Sequence, residues 1–316
     1  MKENNSRVLV GAEQDTFLQG LISSKMGRVI GELCIIASAI LFGLMPLLAK
    51  VAYEHGSNPY TVSFGRYAFG SLILLLILTY KEGERLTISL KQLAQIAGLA
   101  VFFGSTSILL YISYDYIGTG LATTLHFTYP VAVIFIAAYF FHERLDLGKI
   151  ACTILCLAGI GLLYTPGASS GILGMLIAAA SGLTYSVYII LLGKSDLNKL
   201  PPLTLSFWIS LLSAVEVGLV AFGGGHLRFD LGLPGWGAEL ALAIMAAVFA
   251  TTLFQMGVML SGEIKASLLS TFEPLTGVLV GLLVFQEELT FKIGLGILCI
   301  LCATVFLVAN KKKQLQ

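Results

Sequence analysis

Long apolar runs of about 20 residues alternate with short polar connectors along the chain. A helix of about 20 apolar residues is long enough to cross the hydrocarbon core of a bilayer. The pattern therefore predicts an all-α integral membrane protein with ten transmembrane helices. The predicted spans are residues 30–50, 60–80, 92–114, 119–141, 147–165, 171–193, 202–222, 237–260, 265–285 and 291–309.

Composition supports a membrane protein and excludes several other classes. The 316-residue chain is 57% hydrophobic and 12% charged, whereas soluble domains average about 25% charged residues. The net charge of +1 provides no basic field for nucleic acid. We predict no metal site and no cofactor, and interpret the five cysteines as packing residues because all of them lie in apolar runs. They are Cys34, Cys152, Cys156, Cys299 and Cys302.

Lysine and arginine are distributed unevenly between the two predicted sides of the membrane. One side has 15 of these residues, the other has 3, and Arg66 lies within span 2. Because basic residues favour the cytoplasmic side, both termini are predicted to be cytoplasmic in a protein of the cell membrane. Residues 1–29 form a predicted cytoplasmic tail, and residues 310–316 form a basic one. Residues 1–25 are either disordered or precede a natural start at Met26.

The two halves of the chain resemble each other at an offset of 143 to 144 residues. The repeats are predicted at residues 30–165 and 171–309. Five spans is an odd number, so the second copy must enter the membrane upside down, as in many secondary transporters with a site near the midplane. Matched serines such as Ser63 and Ser206 belong to this pattern, and the matched pairs that are hardest to attribute to chance are Gly118 with Gly262, Pro130 with Pro274, and Glu143 with Glu287.

This arrangement resembles the drug/metabolite transporter superfamily, EamA type, over about residues 28–310. The resemblance rests on the repeat, the prolines of YPVAVIF and EPLTGVL, and the glutamates of FHERL and FQEEL. It implies an exporter or exchanger of metabolites, amino acids or amphipathic compounds, in some cases driven by an ion gradient. It also implies a central cavity lined mainly by spans 1–4 and 6–9. The family's Glu-Pro pair occurs only in the second repeat, since the first has Tyr129-Pro130.

Four ionisable residues stand out away from the ends of the predicted spans, where charge is costly and usually functional. They are Arg66, His126, Glu216 and Glu273. Counting 1.5 Å per residue places the first three at one level, roughly 10 Å below the outer surface. We hypothesise that Arg66 and Glu216 pair near His126 and bind substrate or close an outer gate. Alternatively, hydroxyl and backbone groups satisfy each residue separately, or Arg66 reaches the interface.

Glu273 lies about 8 residues from the inner end of span 9, beside Pro274. Proline lacks an N–H group and can kink a helix. Apolar surroundings disfavour the charged form of a carboxyl group, so Glu273 is a candidate for proton coupling or for binding a substrate amine. The structural alternatives are a capped kink and a carboxylate that reaches an inner vestibule. Pro130 occupies the matched position, so we predict a structural kink at both prolines.

Aromatic side chains in the lining spans could contact a flat or partly apolar solute, although such residues more often serve packing or interfacial roles. The candidate contacts are Tyr111, Tyr129, Tyr185, Tyr188 and Trp208. Acids at the ends of spans are interpreted structurally, because an acid near the start of a helix is stabilised by the helix dipole. Glu143 and Glu287 are predicted caps, Glu32 is predicted to be interfacial, and Asp115 is predicted to face water.

The sequence therefore predicts a secondary active transporter that works by alternating access between inverted repeats. Its expected substrate is a small neutral, zwitterionic or cationic metabolite. A phosphorylated substrate would need several cations at the midplane, where only Arg66 is found. The chain has no Walker motif for ATP, and proton coupling is a hypothesis. The expected partners are the small-molecule substrate and the lipid bilayer, with a homodimer through the peripheral helices left open.

An intramembrane enzyme acting on lipid is the alternative from a different class. It would need a metal-binding acid cluster or a nucleophile with a base, and the sequence has no DxxxD within a span, no HExxH and no GxSxG. A non-transporting membrane scaffold is a third possibility, although no soluble signalling domain is appended. We therefore predict that the protein is not an enzyme.

Overall fold

The computed structural model describes residues 25–80, 86–142, 147–163, 169–270, 272–284, 286 and 290–314. All regular secondary structure within these ranges is helical. The predicted N-terminal tail before residue 25 and the predicted caps Glu143 and Glu287 lie outside the described residues. The last helix continues to Gln314, so the predicted basic tail begins inside a helix.

The first half of the chain comprises α1 (Lys25–Gly43), α2 (Met45–Glu54), α3 (Pro59–Tyr80), α4 (Leu90–Ser113), α5 (Thr119–His126), α6 (Tyr129–Phe141) and α7 (Leu147–Leu163). The second half comprises α8 (Ser169–Lys194), a 3-10 turn (Asp196–Lys199), α9 (Pro202–Gly223), α10 (Gly232–Leu242), a π-helix (Ala243–Ala250), α11 (Thr251–Ser261), α12 (Glu263–Leu269), α13 (Phe272–Leu283) and α14 (Phe291–Gln314).

Within the described ranges, seven helical stretches are long and apolar enough to cross a membrane, and the chain is a multi-pass membrane protein. These stretches coincide with predicted spans 1–4 and 6–8. They are Met26–Glu54, Pro59–Tyr80, Leu90–Ser113, Thr119–Phe141, Gly171–Lys194, Pro202–Gly223 and Gly232–Ser261. The other three predicted spans correspond to α7, the pair α12–α13 and α14, parts of which lie outside the residues and side chains that the structure describes.

Apolar residues cover the outside of the bundle, and many hydroxyl groups lie inside it. Leu76, Leu219 and Phe222 are 61%, 72% and 80% exposed, as expected for side chains that contact lipid. Ser63 and Ser206, by contrast, are fully buried. Because lipid provides no hydrogen bonds, polar groups in a membrane bundle have to find their partners between the helices.

Three helical stretches are interrupted partway along their length. The first break is at Leu44 between α1 and α2, the second at Phe127 and Thr128, and the third between Leu269 and Phe272. The second and third breaks lie beside the prolines for which the sequence predicted kinks, whereas the first was not predicted. Each following helix has a proline in its first turn: Pro46, Pro130 and Pro274.

Helices of the two halves pack mainly on each other. The α3 helix packs on α9, and α7 packs on α14. The α4 helix packs on α8, and α11 packs on α1. Likewise α5 and α6 pack on α8, and α12 and α13 pack on α1. Each helix of the first half corresponds to one of the second: α1 to α8, α3 to α9, α4 to α11, α5–α6 to α12–α13, and α7 to α14. Exchanging every helix for its counterpart gives the same set of pairings. The pairings also bring the three breaks toward one another.

Candidate functional site

A narrow cavity of about 20 Å³, room for about one water molecule, lies where the three helix breaks meet. Phe42 and Met45 flank the first break, His126 precedes the second, and Glu273 follows the third. Interrupted helices often provide substrate sites in transporters, because they present helix ends and irregular backbone inside the membrane. The other lining residues are Arg66, Tyr67, Phe103, Thr106, Ser107, Leu110, Tyr111 and Tyr185.

Arg66 is a buried cation surrounded by aromatic rings. It is 3% exposed, and its Cζ lies 5.0 Å from the ring centroid of Tyr67 and 5.4 Å from that of Phe103. No carboxylate of the described chain lies within 4 Å of its guanidinium, and its Nε has no hydrogen-bond partner there. Aromatic faces stabilise a cation, but a buried charge without a counter-ion remains costly. The Arg66 side chain can therefore receive an anionic group.

Glu273 places a carboxyl group in the same cavity. It is 4% exposed and lies in the first turn of α13, where the helix dipole favours a negative charge. Its backbone N–H donates to the carbonyl of Ser270 at 2.9 Å. In the described structure no side chain donates a hydrogen bond to the carboxyl group, and Arg66 is the charged residue that interacts with it electrostatically. An acid and a base thus share one cavity without forming an ion pair.

His126 is held in a defined orientation by α8. Its Nδ1 lies 2.8 Å from the hydroxyl oxygen of Ser181, which itself donates to the carbonyl of Ala178 at 2.6 Å. A serine hydroxyl has only one proton to donate, so the hydrogen-bond network assigns Nδ1 of His126 as the donor to Ser181. In the neutral imidazole this leaves Nε2 as a hydrogen-bond acceptor.

The same face of α8 stabilises the break between α5 and α6. The hydroxyl oxygen of Ser186 lies 2.7 Å from the carbonyl of Gly182 and 3.1 Å from that of Tyr129, so its one proton is shared between the two. Gly182 lies against the carbonyl of His126, and a Cβ at this glycine would be 2.5 Å from that oxygen. Pro130 has no N–H with which to occupy the His126 carbonyl. The irregular backbone is thus supported by a hydroxyl group and by a close approach that glycine permits.

The predicted tyrosines form one aromatic cluster beside the cavity. Tyr111 and Tyr185 line it directly. Tyr129 and Tyr188 pack behind Tyr185, with ring centroids 4.8 and 5.6 Å from it. The cluster provides flat apolar surface and polarisable ring faces next to the two charged groups.

The predicted pair of Arg66 and Glu216 does not form. Ser105 donates a hydrogen bond to Glu216 Oε1 at 2.9 Å, and the carboxyl group packs against Gly104. At 3.6 residues per turn, Ser105 lies on the opposite side of α4 from Phe103 and the other α4 residues that line the cavity. Counting residues gave the depth of Glu216 but not the direction in which it points.

Trp208 is also absent from the cavity. Its Nε1 donates to the carbonyl of Leu86 at 3.0 Å, and its ring packs edge-on against Phe207 at 5.3 Å. These contacts tie the start of α9 to the connector before α4. Trp208 thus makes structural contacts in this structure, and none of the described lining residues comes from α9, α10 or α11.

Several lining residues of α4 were not singled out from the sequence. Phe103, Thr106, Ser107 and Leu110 recur at spacings of three and four residues, which places them on one helix face. Together with Tyr111 they would have been found by following hydroxyl and aromatic residues along that face. Met45 was missed because the break at Leu44 was not predicted.

Within the described ranges, no cluster of three or more His, Cys, Asp or Glu side chains that could hold a metal ion occurs. Cys34, Cys299 and Cys302 are free thiols. Cys152 and Cys156 lie in α7, and their side chains are not among those described.

Comparison with known proteins supports a transporter. The sequence profile of a family described as the EamA-like transporter family matches residues 29–165 and again residues 172–309. An uncharacterized transporter of Archaeoglobus fulgidus is 26% identical over 266 residues, which cover 84% of this chain and 92% of that protein. A protein of known crystal structure matches with a TM-score of 0.68 and 15% identity, over 90% of this chain and 98% of the other. That likeness shows the fold alone.

Two more distant relatives have named substrates. The phosphoenolpyruvate/phosphate translocator 3 of Oryza sativa subsp. japonica chloroplasts is 28% identical over 180 residues, which cover 54% of this chain and 46% of that protein. The S-adenosylmethionine uptake transporter of Rickettsia bellii is 25% identical over 158 residues, which cover 50% of this chain and 53% of that protein.

Proposed function

The chain belongs to the EamA-like transporter family, and on that premise we propose that it exports or exchanges a small zwitterionic, amino-acid-like metabolite across the cytoplasmic membrane. The observation that supports this substrate class is the sharing of one cavity by Arg66 and Glu273 without an ion pair. A guanidinium group binds a carboxylate in a bidentate manner. A carboxylate and aromatic faces together bind an ammonium group. A zwitterion therefore satisfies both residues at once.

Neutral and cationic solutes fit the cavity less completely. A neutral solute would leave both buried charges unpaired, and a cation would leave Arg66 without a partner. A phosphorylated solute, such as the one named for the rice relative, would place a doubly charged anion beside Glu273. Among the described residues Arg66 is the only buried lysine or arginine. S-adenosylmethionine, named for the Rickettsia relative, carries an amino-acid group and is closer to the chemistry proposed here.

The proposed transport cycle alternates access between two inverted repeats of five spans each, ten in all. The exchange-symmetric packing of the two halves supports this arrangement, because one set of contacts has a mirror set of similar shape. With the predicted orientation, both termini are cytoplasmic. The ion pairs of Lys194 with Glu263, at 3.1 Å, and of Lys265 with Glu32 then lie at the cytoplasmic ends of α8, α12 and α1.

Proton coupling through Glu273 is part of the proposal. Substrate release needs the ammonium group to lose its partner, and protonation of Glu273 would remove the negative charge that binds it. The peripheral pair α7 and α14 is the surface through which a homodimer would form. The chemistry of the described cavity offers no nucleophile–base pair that favours the lipid-modifying enzyme.

Transport in proteoliposomes tests the proposal. The purified protein is reconstituted and supplied with labelled amino acids, amines, organic acids and phosphorylated metabolites, with and without a pH gradient. We expect uptake of at least one zwitterionic compound in preference to its amine and acid analogues. Transport restricted to phosphorylated compounds would contradict the substrate class, and loss of net flux without the gradient would support proton coupling over exchange.

A further inference from the structure

Glu239 in α10 is a buried acid that lies outside the cavity. Its side chain is 1% exposed. Ser57 donates a hydrogen bond to its Oε1 at 2.7 Å, whereas Oε2 is buried and has no partner in the described part of the chain. A buried charged oxygen without a donor is costly, and so is a buried hydroxyl group without an acceptor. The protein thus provides no complete set of partners for either protonation state.

The backbone of α3 approaches the Glu239 carboxyl group closely. Gly65 of α3 faces it, and a Cβ at this glycine would lie 2.5 Å from Oε2 and 3.2 Å from Cδ. Any side chain at position 65 would displace the acid. The glycine therefore preserves the position of a carboxyl group whose second oxygen contributes no hydrogen bond to the fold.

Glu216 shows that this local arrangement is not sufficient to define a site. It too has one oxygen bonded to a serine and a second oxygen without a partner in the described chain, packed against a glycine. Its neighbours on α9, however, are Val215 and Leu219, which are 51% and 72% exposed on the lipid-facing surface. Glu216 lies beside lipid, whereas Glu239 lies between two polar spaces.

The first of these spaces is an open pocket at the ends of the helices, with a volume of about 730 Å³. It is formed by residues 56–58, which precede α3, and by residues 227–230, which precede α10. Ser57 lines this pocket and also donates to Glu239. A single hydroxyl side chain therefore separates the carboxyl group from the pocket, which opens outside the cell in the predicted orientation.

The second space is the cavity of Arg66 and Glu273. Tyr111 lines that cavity and interacts electrostatically with Glu239. Tyr53 connects the two regions, because its hydroxyl group donates to the Tyr111 carbonyl at 3.3 Å and also interacts electrostatically with Glu239. The Tyr53 hydroxyl, hydrogen-bonded to the backbone of Tyr111, thus connects the side of the acid to a residue that lines the cavity.

We propose that Glu239 is a proton-binding site through which protons pass between the outer pocket and the cavity. The carboxylate takes a proton from hydronium in the pocket, which leaves water. The resulting acid later gives that proton to water on the cavity side, which becomes hydronium as the acid becomes a carboxylate again. The ionisable groups around this site are Tyr53, His55, Arg66, Tyr111, Tyr114, Asp115, Arg228 and Asp230. The inference rests on the proposed transport function, to which it adds a route for the coupling proton.

Infrared difference spectroscopy of the protein in lipid nanodiscs, recorded against pH without substrate, tests the proposal. We expect a carboxylic acid carbonyl band that appears and disappears reversibly with pH and is lost in Glu239→Gln. The matched control Glu216→Gln should retain that band, because Glu216 does not lie between the two polar spaces. Identical titrating bands in the wild type and Glu239→Gln would overturn the proposal.

Ser57→Ala provides a second variant if Glu239→Gln fails to fold. It keeps the carboxyl group but removes the hydrogen bond to Oε1, so the pH midpoint of the Glu239 band should shift. An unchanged midpoint would overturn the proposed site. Because no substrate is present, failure of the titration leaves the transport proposal standing. Absence of any transport in proteoliposomes, with the titration intact, would count against the transport proposal alone.

Discussion

Charged residues in the cavity and charged residues at the helix ends are treated differently by this fold. At the ends of α1, α8 and α12, Lys265 pairs with Glu32 and Lys194 pairs with Glu263. In the cavity, Arg66 and Glu273 are more deeply buried and yet form no ion pair. The paired charges at the helix ends connect helices, whereas the two charges of the cavity are those that we propose bind the substrate.

Removal of a cavity charge should have the largest effect. Arg66→Gln and Glu273→Gln are each expected to lower substrate transport about 30-fold or more, because loss of one partner from a buried charge pair costs roughly 2–5 kcal/mol. Initial uptake rates at low substrate concentration measure this effect. Size-exclusion profiles and thermal midpoints of the variants control for folding. Wild-type transport rates in both variants would contradict the proposal that the unpaired charges of the cavity bind the substrate.

The response to pH distinguishes a coupling acid from a purely substrate-binding one. Glu273→Gln cannot exchange a proton, so any residual transport should no longer respond to an imposed pH gradient. Counterflow at equal pH should be less affected than gradient-driven net flux. A Glu273→Gln protein that retained the wild-type response to the gradient would assign coupling to another residue.

Breaking an ion pair at the helix ends should have a smaller effect, and mainly on stability. The Lys265 and Glu32 side chains are 38% and 33% exposed, and exposed pairs contribute about 0.2–1 kcal/mol. Lys265→Ala should therefore lower the thermal midpoint by a few degrees at most. The double variant with exchanged charges, Lys265→Glu with Glu32→Lys, should recover most of that loss. A thermal midpoint that stays low would show that the ion pair does not contribute to stability.

Glu216→Gln should have the smallest effect and serves as the control for Glu273→Gln. Both substitutions neutralise an acid within the bundle, but the side-chain amide introduced at position 216 can still accept the hydrogen bond from Ser105. Transport should stay within about twofold of the wild type, as for substitutions away from a functional site. A large loss of transport in Glu216→Gln would show that Glu216 has a functional role after all.

The hydrophobic pattern was sufficient to predict seven of the helical stretches and their order. Lipid imposes one length and one composition on every span, so these features are visible in the sequence. The break at Leu44 was missed because a proline in the first turn of a helix fits both a new helix and a kinked one. A break is defined by backbone geometry that the hydrophobic pattern does not record.

Arg66 and Glu273 were singled out because charge in an apolar run is conspicuous. That Arg66 and Glu273 line the same cavity was not predicted, since Arg66 was expected to pair with Glu216. Residue counting gives depth along a helix axis, but partnership also depends on rotation about that axis and on which helices are neighbours. Glu239 was overlooked for a related reason, because it lies only two residues inside the predicted start of span 8.

The most direct test of the shared cavity compares substrate analogues with matched variants. Competition by L-amino acids, their decarboxylated amines and their deaminated acids is measured for the wild type, Arg66→Gln and Glu273→Gln in proteoliposomes. The account predicts that Arg66→Gln stops distinguishing the amino acid from its amine, and that Glu273→Gln stops distinguishing it from its acid. If both variants retain the selectivity of the wild type, Arg66 and Glu273 do not bind the two ends of the substrate.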